Sequence, residues 1–145
     1  MFDTNIFNHV LDGRINLARF IHKAQFFATH IQFDELNKTR NEGRRANLLD
    51  IFERVPQMVV STKTFVLDTS SLDRAEVGKG TLYRKIKCEL NQLNKGKPNN
   101  VSDALIAETA TKSHLILVTD DCDLSQVARQ NEGSCMTLKD FLTAI

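Results

Sequence analysis

The chain has 145 residues, 41% hydrophobic and 26% charged, with a formal net charge of +1. That is the profile of one soluble globular domain, residues 1–145, long enough to bury a core; no apolar run approaches the roughly 20 residues that cross a bilayer. Cys88, Cys122 and Cys135 are odd in number and widely spaced, which fits neither a disulfide framework nor a zinc motif. With no basic-then-apolar leader at the start, a cytoplasmic location is expected.

In chain order, Met1-Phe2-Asp3 reads as the end of a very short strand, and Asp3-Thr4-Asn5 as the cap of a helix carrying Ile6, Phe7, Val10 and Leu11 on one face. Asp12-Gly13 stops it. A second helix is expected through Leu17, Phe20, Ile21 and Ala24, a strand at Gln25 to Thr29, and a helix from about Ile31 that includes Glu35. Arg44 to Val55 reads as a helix ended by Pro56. Thr64 to Leu67 predicts a strand, and Ser70-Ser71 a cap for a short helix near Leu72 and Val77. Leu82, Ile86, Leu90 and Leu93 line one side of a helix whose other side carries Arg84, Lys85 and Lys87. A loop over Asn94 to Asn100 follows, then a helix capped by Ser102 and running through Ala110.

Leu115-Ile116-Leu117-Val118 reads as a strand buried on both faces, with Asp120, Asp121 and Asp123 directly after it. A helix from Leu124 to Gln130, a brief strand at Ser134 to Met136 and a helix from Leu138 to Ile145 complete the chain. Strands alternating with helices predict a three-layer α/β/α sandwich around a mostly parallel central sheet.

In such sheets ligands gather at the carboxyl ends of strands. Asp3 and Asp121 then fall on one rim, Asp103 in the first turn of a helix that leans over it, and Glu35 early in the helix after the second strand. Two unit charges about 4 Å apart repel by about 4 kcal/mol at an effective dielectric near 20, so a cation is expected among them. An all-carboxylate set suits a hard divalent ion, Mg²⁺ or Mn²⁺, which can activate water against a phosphodiester. The bland alternative for Asp120 to Asp123 is a polar turn whose Asp caps the next helix. Basic residues crowd two segments, Lys38 to Arg45 and Lys79 to Lys97. They flank an acidic pocket in a way that suits a phosphate backbone, or else form an ordinary solvated surface.

Four stretches resemble the PIN-domain ribonucleases, most closely the VapC-type toxins of toxin–antitoxin pairs. These are Phe2-Asp3-Thr4-Asn5-Ile6, Phe33-Asp34-Glu35-Leu36, Asn100-Val101-Ser102-Asp103-Ala104-Leu105-Ile106-Ala107 and Leu117-Val118-Thr119-Asp120-Asp121. The resemblance implies a PIN-like fold and an endoribonuclease in which Asp3, Glu35, Asp103 and Asp121 are metal-binding, catalytic acids. Asn5 and Thr119 would orient carboxylates or water, Asp123 would be the alternative fourth acid, and Asp120 would face outward. It also implies an RNA substrate, a homodimer and a cognate antitoxin. Residues 43 to 97 match only in pattern, so nothing about substrate choice carries over from them. A PIN-like scaffold or nucleic-acid-binding module without catalysis is the competing reading.

Other motifs are weaker. Asp121-Cys122-Asp123-Leu124-Ser125 is like a phosphatase motif that belongs after a first strand, and it lies here near the far end. The same stretch has calcium-loop spacing, with Gln126 where glycine is required. His9, His22, His30 and His114 share no ligand spacing.

Overall fold

A computed structural model describes residues 1–55, 57–66 and 80–145. The expected helix near Leu72 and Val77, with its Ser70-Ser71 cap, lies outside the described residues, as do Leu67 and Lys79. The helices are α1 (Thr4–Leu11), α2 (His30–Asn37), α3 (Glu42–Arg54), α4 (Thr81–Asn94), α5 (Asn100–Lys112), α6 (Cys122–Gln130) and α7 (Leu138–Ala144). The strands are β1 (Phe26–Ala28), β2 (Gln57–Val59), β3 (Ile116–Val118) and β4 (Ser134–Met136). Among the described residues no helix is long and apolar enough to cross a membrane.

Every strand pairing described is parallel. β1 pairs with β2 through Phe27 and Met58, β3 with β4 through Leu117 and Cys135, and Phe2 bridges Val118. Alternation along these strands sorts side chains into two apolar clusters. Met1 and Leu117 join Ile86, Leu90, Leu105, Ile106 and Leu124 on one side. Phe2 and Val118 join Ile6, Phe7, Phe26, Leu48 and Phe141 on the other. Helices thus cover both faces, giving the expected α/β layered fold. On the second side Phe2 is the hub, its ring meeting those of Phe7, Phe20, Phe26 and Phe141 at centroid distances of 5.1–6.2 Å.

Several elements depart from expectation. Residues 17 to 24 form one 3₁₀ turn, Leu17–Arg19, rather than a helix. Asn16 Oδ1 takes the Ala18 amide at 3.0 Å, an asparagine turn that competes with helical bonding. Thr64 to Val66 belong to no strand; the partner of β1 is β2, immediately after the helix-ending Val55. β2 leaves Met58 and Val59 exposed, so burial never marked it as a strand. Ile116 is 46% exposed, so β3 is not buried on both faces along its whole length. It lies at the open end of the strand, where it borders an apolar depression of about 370 Å³. Finally, α5 starts at Asn100 after Asn99, which puts Ser102 inside the helix rather than at its cap.

Candidate active site

Asp3 is placed by backbone. Its amide donates to Val118 O at 2.9 Å, which locks the opening segment beside β3 and sets the carboxylate at the strand's carboxyl end. The side chain is 2% exposed. One oxygen accepts the Thr4 amide at 2.7 Å, making Asp3 the N-cap of α1, and the other accepts Thr119 Oγ1 at 2.8 Å.

Glu35 reaches the same place through α2. Thr29 and Gln32 form a capping box that starts this helix. Gln32, fully buried, donates its amide to Phe2 O at 3.1 Å, pinning the helix to the opening segment. Glu35 lies three residues on, on the same face, and accepts hydrogen bonds from Thr4 Oγ1 and from Ser102. Asp103 sits in the first turn of α5, 7% exposed, and accepts from Asn99 Nδ2 at 2.8 Å.

Asp121 does two things. Its Oδ1 accepts the Leu124 amide at 3.0 Å as the N-cap of α6, so the bland capping role is realised. Its charge is also felt at Asp3 and Asp103. Thr119 supports the turn by accepting the Asp121 amide at 3.1 Å. Asp123 is half-buried, 4.0 Å from Lys97 Nζ. Asp120 is exposed as expected; it faces His9 at 3.4 Å and accepts the Leu138 amide at the start of α7.

The electrostatics record the crowding. Burial, followed by the charges of Asp3, Glu35 and Asp121, pushes Asp103 up to about 8. Burial raises Asp3 to about 6 against the opposing bonds from Thr119 and Thr4. Glu35 is also raised, chiefly by burial. These four acids from remote parts of the chain therefore share one electrostatic neighbourhood. Protonation relieves part of the repulsion among them.

The donor set is oxygen-only and suits a hard divalent ion. As they stand, no three His, Cys, Asp or Glu side chains among the described residues are gathered closely enough to hold a metal; a cation would have to draw them inward. Asn5 is exposed, and among the described residues it makes no hydrogen bond to a carboxylate. That contact belongs to Thr4, which the sequence offers only as part of a helix cap, as it does Ser102, while Asn99 falls in an expected loop. Thr4 carried a signal all the same, as the hydroxyl beside Asp3.

No protein-family model matches this chain, and no curated protein does. Among solved structures, a chain in the crystal structure of VapBC2 from Rickettsia felis, bound to a DNA fragment from its promoter, superposes with a TM-score of 0.59. The match covers 94% of this chain and 96% of that one at 20% sequence identity. At that identity the likeness is one of fold, and it carries the α/β architecture across nearly the full length of both chains.

Proposed function

We propose that this chain is a metal-dependent endoribonuclease acting as the toxin of a toxin–antitoxin pair. The observation that carries this reading is the shared electrostatic neighbourhood of Asp3, Glu35, Asp103 and Asp121 at the carboxyl end of β3. Those four acids would hold Mg²⁺ or Mn²⁺, with Asp123 as the alternative to Asp121. Bound there, the ion supplies an activated water and neutralises charge on the phosphodiester. The protein's part is orientation: Thr119 and the Thr4 amide fix the two oxygens of Asp3, Thr4 and Ser102 fix Glu35, and Asn99 fixes Asp103. The fold shared with a chain of a toxin–antitoxin complex supports an antitoxin as partner, and the family resemblance supports a homodimer and a cytoplasmic site of action.

Purified protein is expected to cut single-stranded RNA with Mn²⁺ and to lose that activity on Asp103→Asn. Cleavage that survives the substitution would refute the assignment of the site. A second reading, a PIN-like scaffold without catalysis, draws on the absence of a preformed three-ligand cluster among the described residues. It predicts RNA binding without cleavage under any divalent ion.

A further inference from the structure

The turn between α4 and α5 is short and firmly held. Lys95 and Gly96 both adopt left-handed backbone conformations, φ 60° and 74°, which for lysine is unfavourable. Behind them three asparagines interlock. Asn100, 1% exposed, donates its amide to Asn91 Oδ1 at 2.7 Å and to Asn94 Oδ1 at 2.8 Å. It accepts from Asn94 Nδ2 at 2.9 Å, and Asn94 Oδ1 also takes the Lys97 amide at 3.3 Å. A satisfied buried polar network of this kind rigidifies what it touches.

The turn presents two groups to the carboxylates. Asn99 stands at the N-cap of α5 but in helical conformation, φ −77° and ψ −8°, and makes no capping bond. A capping Asn accepts a first-turn amide and stabilises its helix; this one forgoes that and gives its amide to Asp103. Lys97 brings its ammonium to 4.0 Å from Asp123 Oδ2, and its field reaches Asp103. Both side chains of the Lys97–Asp123 pair are open to solvent, 52% and 37%. As an ion pair it contributes next to nothing to stability, and the ammonium can turn to another anion.

We propose that Lys97 binds a non-bridging phosphate oxygen of a nucleic-acid strand laid across Asp103 and Asp123, and that Asn100 is the positioning residue that holds the turn in place for it. This rests on the nuclease reading. A polyanion approaching clustered carboxylates is repelled, and a cation fixed at their rim offsets that repulsion locally. A lysine meets phosphate as a point charge and reads no base, so the contact would register a strand without selecting its sequence.

The test is binding of a labelled single-stranded RNA oligonucleotide by the full chain in chelator, followed by anisotropy. Between about 50 and about 200 mM salt, Lys97→Ala should lower the slope of log K against log salt by about 0.7 and weaken binding roughly five- to tenfold at the low end. Lys97→Arg should keep the slope, and Lys23→Ala, beside Ile145, should change nothing. Asn100→Ala should reproduce the loss seen for Lys97→Ala, with the double variant no worse than either single one. A DNA strand of the same sequence should show the same slope change. An unchanged slope in Lys97→Ala, additive losses, or a change confined to RNA would overturn the proposal. If Asn100→Ala does not fold, the slope of Lys97→Ala decides alone. Cleavage with an unchanged slope sinks the clamp and spares the nuclease reading; a slope change in a chain that never cleaves does the reverse.

Discussion

Thr119 and Asp3 lie 116 residues apart in sequence and are joined by a 2.8 Å hydrogen bond, both buried, at the end of β3. The same hydroxyl accepts the Asp121 amide at 3.1 Å, so one oxygen ties the opening segment, β3 and the turn into α6. Thr119→Val keeps the shape and removes both bonds. We expect a loss of about 1–3 kcal/mol in urea unfolding, with Thr119→Ser restoring most of it. The bond from Thr119 also holds Asp3 below where burial alone would put it, so in Thr119→Val the carboxyl of Asp3 should titrate higher still by NMR. A Val variant as stable as the parent would show that the bond carries no weight.

Asp120 and Asp121 are neighbours with different tasks. Asp120 bonds the first amide of α7 and faces His9, whereas Asp121 shares the field of Asp3 and Asp103. Asp120→Asn should therefore cost about 0.5–1 kcal/mol of stability and leave Mn²⁺-dependent cleavage intact. Asp121→Asn should abolish cleavage while keeping most of the cap, since an Asn oxygen still accepts the Leu124 amide. The reverse pattern would mean that the inward acid of this turn has been misassigned.

How much of this was legible in the sequence depended on whether a signal was local. The capping residues Asp3 and Asp121 and the apolar spacing of Leu82, Ile86 and Leu90 act over one or two turns, and α1, α6 and α4 follow them. β2 could not be read, because Met58 and Val59 are exposed and the segment becomes a strand only through β1. The helix expected at residues 17 to 24 failed for the same kind of reason. Phe20 obeys a long-range demand, packing with Phe2, Phe26 and Phe141, that its sequence neighbours do not reveal. At the site the acids were visible as residue types, and Thr119 as a residue that orients a carboxylate through the family resemblance, but the other hydrogen-bond donors were not. Thr4, Ser102 and Asn99 are ordinary capping or turn residues until α2, α5 and the opening segment are assembled.

Gly133 makes a prediction independent of function. It precedes β4, and a Cβ there would stand 2.7 Å from Thr111 Oγ1 and 2.8 Å from the Ala128 carbonyl. The carbonyl is backbone in α6, so it cannot move aside cheaply. The Gly133 amide also bonds that carbonyl at 2.8 Å, so the two segments cannot separate without losing the bond. Gly133→Ala should cost roughly 1–3 kcal/mol, read as a lowered unfolding midpoint with unchanged m. Relief in the double variant with Thr111→Ala should be only partial, because the carbonyl remains.

The raised acids fix the direction of pH dependence. Asp103 and Asp3 titrate near 8 and 6 in the folded chain, against an ordinary value of 3.8. Between those limits the folded state binds more protons than the unfolded one, so stability falls as pH rises. This contribution is complete below about 4 and is lost through about 6 and then about 8. In chelator, the melting temperature should therefore decline from pH 5 to pH 8, and Asp103→Asn, which cannot ionise, should flatten the upper part of that decline. A divalent ion needs the carboxylates unprotonated, so its stabilisation should grow over the same interval. Saturating Mn²⁺ should raise the melting temperature more at pH 8 than at pH 5, and the Asp103→Asn chain should gain less. An equal gain at both pH values in parent and variant would place the ion elsewhere.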